Sequence, residues 1–522
     1  MKKHKYFLFA LAVLIAAGLT GCFSPWTGNR GVISISLGPD TGGRYIDYSE
    51  GLRPDYEHVV TLRGPGGTVT KTLKKGESSA VFEVAPGKWT VDVRAIGDQP
   101  HVFHHAFDNS VFPGRMLCAL AIVPDVEVIA GRSARVRLEM QSATEVENMD
   151  QLIYVIENVF WHEVIVLKQN LELTRSQTDL IQIRAKEITF IADKDIAIKK
   201  DPNYNGAFFS VHDFGNLTFG MPGMAGTITV DGYTDAPDTL ESTYYPLIVV
   251  ERGSLHMNDG ITLKNNKASR GGAVNIGEDN ESEFFMEGGA ITGNEAIDEG
   301  GGVYVGSMGS FTMNGGIINN NEAKTGGGGV HVGGTGSFIM NGGSINNNET
   351  DKGGGVFVNT GSFFTLNGGA INANKANIGG GVLVEGGTNP SPIPNFLMNG
   401  GVISANKANE GGGVFVESGH FNMTGGFIRT NMAYNNGAGV FIYQGIFEKM
   451  PSGGIVYGKN GGANANSFES HQPSYVGEGN SVYWISFNVG TATYYRNRTI
   501  NAGDNLSTIV FNELEWDFDY PD

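Results

Sequence analysis

Between residues 255 and 440 the chain repeats one arrangement of apolar, glycine and asparagine positions. Its anchor is a methionine or leucine, at Met257, Met286, Met313, Met340, Leu366, Met398 and Met423, with spacings of 29, 27, 27, 26, 32 and 25. The long spacing holds an added proline-rich stretch, Gly387-Thr-Asn-Pro-Ser-Pro-Ile-Pro-Asn395. Two positions before each anchor stands Leu255, Phe284, Phe311, Phe338, Phe364, Phe396 or Phe421. Such an i, i+2 pair lies on one face of a strand. A second apolar position follows in Gly-Gly-x-Ile, as in Gly288-Gly-Ala-Ile291 and Gly342-Gly-Ser-Ile345. A third closes Gly-Gly-Gly-Val, as in Gly300-Gly-Gly-Val303 and Gly353-Gly-Gly-Val356. Between them, three residues after the isoleucine or its leucine equivalent, comes an asparagine: Asn266, Asn294, Asn321, Asn348, Asn374, Asn406 and Asn431.

Three strands this short cannot close a core alone, so they predict coils stacked on one another, each adding a strand to three parallel sheets. Like residues then stack on like, Phe on Phe and Met on Met. Glycine admits the positive φ of a sharp corner, and asparagine tolerates it. Stacked side-chain amides can also hydrogen-bond from coil to coil as a ladder. No helical period survives these glycines, and a propeller blade needs about 40–50 residues, longer than this repeat. The fold expected is all-β: a right-handed parallel β-helix, a pectate-lyase-like solenoid of about 10 coils.

The register runs backwards through Leu217-Thr-Phe219 and Ile188-Thr-Phe190 to a starting strand at Val164-Ile-Val-Leu167. A capping helix is expected over 145–158. Gly445-Ile-Phe447 with Gly453-Gly-Ile455 reads as a degraded later coil. The β-helix with its N-terminal cap is thus placed at 142–460 and a C-terminal cap at 461–522, where 482–486 and 492–495 are strand-like. Upstream, over 31–141, alternating stretches such as Ala80-Val-Phe-Glu-Val84 and turn signals such as Gly64-Pro-Gly-Gly67 predict a small β-sandwich. The run Phe82-Glu-Val-Ala-Pro-Gly-Lys-Trp-Thr-Val-Asp-Val93 resembles a hairpin of carboxypeptidase-regulatory-like and transthyretin-like sandwiches, which implies a spacer or docking role.

The N-terminus carries an address. Lys2, Lys3 and Lys5 precede an apolar run from Phe7 to Leu19, too short to span a bilayer but suited to a signal peptide. It ends in Leu19-Thr-Gly-Cys22, which resembles the lipobox of bacterial lipoproteins. That likeness implies a signal peptide at 1–21, diacylglycerol on Cys22 and a tether over 22–30. The membrane is then a partner through the lipid anchor, outside the cytoplasm in the cell envelope. Phe23, where an Asp would signal retention at the inner membrane, favours the outer membrane. With Cys22 acylated, Cys118 has no intramolecular partner and no disulfide framework is expected.

Composition adds bounds. Of 77 glycines, 43 fall within 271–440, so the excess serves the turns of the repeat. A formal charge of −18 without a basic stripe excludes nucleic acid as an expected partner. A monomer is expected.

Candidate chemistry is sparse. Asp201-Pro-Asn-Tyr-Asn-Gly206 matches the opening of a calcium loop, with Asp201, Asn203 and Asn205 as oxygen donors. Its twelfth position is His212 instead of Glu, although Asp213 follows, and the same string makes an Asx-rich turn. No cofactor is otherwise required. A loop with Asp231, Tyr233, Asp235, Asp238, Tyr244 and Tyr245 combines carboxylates with aromatic faces, which suits a glycan. His101, His104 and His105 crowd five residues and cannot easily converge on one metal, so they read as a surface loop. Glu322, Glu349 and Glu410 read as variable turn positions.

Asn266-Lys-Ala268 followed by Gly271-Gly-Ala-Val274, with Phe-x-Met between copies, resembles the repeats of chlamydial polymorphic outer-membrane proteins and related bacterial β-helix lipoproteins. That likeness implies adhesion at the cell surface. The chain departs from it by carrying Ile, not Phe, three residues before most ladder asparagines, and no C-terminal membrane barrel is read in it. The function expected is a lipid-anchored extracytoplasmic β-helix with a binding, adhesion or structural role, its ligand a glycan or surface protein. The alternative is a carbohydrate-active enzyme, a polysaccharide lyase or glycoside hydrolase, acting near residues 201–245.

Overall fold

The computed structural model describes residues 30–36, 56–97, 111–174, 181–232, 244–456, 467–468, 482–488 and 491–496, except 78, 113, 137, 139, 202, 203, 205, 278–280, 387–392, 444 and 450–453. The leader, Cys22, the three clustered histidines, Asn203, Asn205, Tyr233, Asp235 and Asp238 lie outside the described residues. The chain divides into two compact units, Met1–His101 with Gly114–Ser142, and Val102–Pro113 with Ala143–Asp522.

The first unit is a sandwich. In one sheet Gly31–Ser36 pairs antiparallel with Ser79–Val84 and parallel with Ser133–Val136. In the other, Glu57–Gly64 pairs antiparallel with Gly67–Leu73 and Gly87–Gly97, and the latter with Met116–Val128. Every second residue of Ser79–Val84 is buried, the period-2 signature of a strand with one wet face. Ile33, Phe82 and Val136 from one sheet meet Leu62, Trp89 and Val91 from the other. Trp89 satisfies its indole N–H on the Ala85 carbonyl at 2.8 Å. Cys118 is buried in Met116–Val128, its thiol donating to the Met116 carbonyl at 3.4 Å.

The second unit opens with a strand at Gln141–Val146, whose Ala143–Val146 portion pairs parallel with His162–Leu167. This corrects the start expected for the helix. Glu145 is a strand residue whose carboxylate binds Lys168 Nζ at 2.9 Å, and the helix runs over Met149–Asn158. It begins only where Asn148 supplies a cap, its Oδ1 accepting the Gln151 N–H at 2.9 Å. Its apolar face buries Met149, Leu152, Val155 and Ile156.

From 162 to 456 the chain forms a parallel β-solenoid of about 10 turns. One sheet stacks the strands that carry Phe-x-Met, with Phe284, Phe311, Phe338, Phe364, Phe396 and Phe421 in register. Their rings lie 4.6 to 4.9 Å apart and nearly parallel. The coil rise of about 4.8 Å sets this spacing and keeps the rings stacked instead of edge to face. An 11-stranded sheet stacks the Gly-Gly-x-Ile strands, and a 12-stranded sheet the Val-x-Val strands. The latter ends in an antiparallel pair, Val482–Asn488 with Thr491–Arg496.

The asparagines form a buried ladder. Asn321 illustrates it: its backbone N–H and its Nδ2 both donate to Asn348 Oδ1, at 2.9 and 3.0 Å, and Nδ2 also reaches the Ile291 carbonyl. The N–H-to-Oδ1 step repeats from Asn266 to Asn431. The left-handed residue is not the ladder asparagine but the one before it, including Ala373 at φ 53° and Ala405 at φ 55°. The ladder bonds hold that corner, so glycine is not required there. In Gly-Gly-Gly-Val the need is steric: a Cβ on Gly329 would stand 2.6 Å from the Gly355 carbonyl of the next coil.

Candidate functional site

A fourth side separates each ladder asparagine from the next glycine turn. Strands Lys267–Arg270, Glu295–Glu299 and Glu322–Ala323 pair in parallel, and single bridges continue through Glu349 and Lys375 to Lys407. The local sequence explains it. After each asparagine an outward residue, a small inward residue and a second outward residue alternate: Lys267-Ala-Ser, Glu295-Ala-Ile, Glu322-Ala-Lys, Glu349-Thr-Asp and Lys375-Ala-Asn. The inward residue is buried in every one of these coils. Glu322 and Glu349, read from sequence as isolated turn residues, therefore belong to one column.

A groove of about 700 Å³ runs along this side, lined by Tyr244, Lys267, Glu295, Glu322, Glu349 and Lys375 among others. At one end the Lys267 ammonium lies 5.6 Å from the Tyr244 ring centroid and 3.1 Å from the Glu295 carboxylate. At the other, Lys375 pairs with Glu349, and Asn377 Nδ2 donates to Asp351 at 2.6 Å. Thr350 takes the inward position in its coil, 8 % exposed, and its hydroxyl has no hydrogen-bond partner among the described residues.

The residues expected from sequence are placed differently from one another. Tyr244 lines the groove and Tyr245 is exposed beside it, its carbonyl accepting from Asn266 Nδ2 at 2.9 Å. Asp231 ends a strand and is held by Lys264 at 3.5 Å and Asn265 Nδ2 at 3.1 Å. Asp201 accepts the Tyr204 N–H in a turn, while the Asp213 carboxylate faces Arg184 at 3.3 Å. Among the described residues no group of three or more His, Cys, Asp or Glu side chains could hold a metal ion.

Two further features lay beyond the sequence reading. Lys200 is buried and donates to Asn266 Oδ1 at 2.9 Å, at the open end of the ladder. Gly232 clears the way, since a Cβ there would stand 2.4 Å from that of Asn266. Burial pushes the Lys200 amine down to about 7. The second feature is the middle residue of Val-x-Val, which alternation would expose. Tyr304, His331, Phe357, Leu383, Phe415 and Phe441 are all buried. His331 stacks on Tyr304 at 5.2 Å, and burial, then Arg270, pushes its imidazole down to about 3. Nearby, Lys352 Nζ binds Glu385 at 2.7 Å, and burial, then the charge of Glu385, raises the Glu417 carboxyl.

The alternation after each asparagine was the signal that could have revealed the groove. Comparison with protein-family models, with curated proteins and with solved structures finds no match to this chain.

Proposed function

We propose that this protein is a lipid-anchored β-helix of the bacterial cell envelope, held outside the cytoplasm by Cys22, that binds an extended glycan along the fourth side of the solenoid. The observation that carries this reading is the groove of about 700 Å³ with the Tyr244 ring at one end and charged side chains in columns along it. An aromatic face stacks on a pyranose, and carboxylates accept hydroxyl protons. Charges repeat along the groove at the coil rise, about 4.8 Å, which suits a polymer lying parallel to the solenoid axis. The repeat's likeness to surface adhesins points the same way.

Calorimetry with the full chain in detergent tests binding against neutral, acidic and basic oligosaccharides. Tyr244→Ala is expected to weaken the bound glycan about tenfold, or 1.4 kcal/mol. Silence across all three classes overturns the reading. The anchor is tested separately by labelling cells with a fatty-acid analogue, which Cys22→Ser is expected to abolish.

The Glu417 carboxyl favours a second reading, a glycoside hydrolase. Burial, then the charge of Glu385, raises it, and a carboxyl kept protonated can act as the general acid of glycoside cleavage. Reducing ends released by the protein and lost in Glu417→Gln would establish it.

A further inference from the structure

The charges of the groove are not all alike. On one side of the central coil Lys267 and Glu295 neutralise each other, and on the other Lys375 and Glu349 do. Asp351 is held by Asn377. Between them Glu322 and Lys324 are both exposed, and among the described residues neither side chain has an ion pair or hydrogen bond. They flank the buried Ala323, Glu322 in the strand Glu322–Ala323 and Lys324 in the bend that follows it, and both line the groove.

We infer that the ligand of this groove is zwitterionic, a glycan whose repeating unit carries a protonated amine and a carboxylate, the amine meeting Glu322 and the carboxylate Lys324. This rests on the glycan reading above. A neutral ligand would desolvate two opposite charges and return hydroxyl hydrogen bonds but no opposite charge to either. A purely anionic one would meet Glu322, and a purely cationic one Lys324. Only a ligand with both charges, spaced within one or two sugar units, satisfies the pair.

The experiment titrates the full chain in detergent with oligosaccharides of alternating glucosamine and glucuronic acid. Two controls remove one charge each: the N-acetylated form and the methyl ester. The zwitterion is expected to bind at least about tenfold tighter than either control, the range of one charge-assisted contact. Glu322→Gln is expected to erase the preference for amine over N-acetyl, and Lys324→Met the preference for acid over ester. Both side chains are exposed, so neither variant should disturb folding. Equal affinity for all three forms, with Tyr244→Ala still weakening each, would overturn the inference and leave the glycan reading standing. No binding by any form would overturn both. Tighter binding of a peptide alternating lysine and glutamate would overturn the inference in favour of a protein ligand.

Discussion

Replacing Lys200 with methionine tests whether a buried amine at the head of the ladder is neutral. In the folded chain the amine is pushed from 10.5 down to about 7, and burial alone is the cause. Among the described residues its hydrogen-bond acceptor is Asn266 Oδ1, with the Phe208 ring 5.6 Å away. Between pH 7 and 10.5 the unfolded chain holds one more proton than the folded chain. Stability therefore rises with pH across that window, by about 1.36 kcal/mol per unit. Below pH 7 the full penalty is present, about 5 kcal/mol from the difference between 10.5 and about 7. Lys200→Met removes this slope. It also removes the bond to Asn266, a loss of about 1–3 kcal/mol that does not vary with pH. The stability of wild type relative to Lys200→Met is thus expected to rise by about 2 kcal/mol between pH 7 and pH 9, because the slope is only half-developed at pH 7. Urea unfolding of both proteins at several pH values measures it. At an m-value above about 3 kcal/mol/M for a chain of this size, the midpoints shift relative to each other by up to about 1 M. A difference that stays constant from pH 7 to pH 9 would refute the reasoning, because the amine would then be equally charged in both states.

Two other substitutions probe the interior. Asn348→Ala leaves the Asn321 N–H and Nδ2 without their acceptor, and at about 1–3 kcal/mol for each buried group should destabilise by about 3–5 kcal/mol. Asn347→Ala, one residue earlier, should cost little, since Ala373 and Ala405 already hold that left-handed position, and equal thermal shifts for the two variants would contradict the ladder's role. His331→Phe should flatten the acid limb of stability. The imidazole falls from 6.5 to about 3 on folding, so the unfolded chain takes up the proton first and wild type loses stability below pH 6.5, about 2 kcal/mol by pH 5. An unchanged difference between the two proteins from pH 7 to pH 5 would argue against it.

The solenoid was legible because its determinants are local and periodic. Phe338 and Met340 stand two residues apart on one strand face, and each coil repeats the pair, so the stacking of like on like follows from period alone. Asn348 and its equivalents stand three residues past an apolar anchor, where only a buried, stacked amide accounts for such regularity. The helix was visible in outline but not in extent. Residues 143–146 alternate as a strand does, and what made them one was an edge supplied by His162–Leu167.

The groove was not legible for the opposite reason. Its inward residues are four alanines and Thr350, too small to give a strand a hydrophobic signature, and its outward residues are mostly charged or polar like any solvated turn. Whether Glu295 is neutralised or Glu322 left free depends on what stands 27 or 28 residues away, one coil above or below. The burial of His331 likewise depends on neighbouring coils, because Val-x-Val by itself predicts an exposed middle residue. Short-range pattern thus determined that the chain winds, and where each coil turns. Which charges meet, which amine and imidazole lose water, and where a groove opens were decided by the stacking of coils, since Coulomb attraction and desolvation act through space and take no account of distance along the chain.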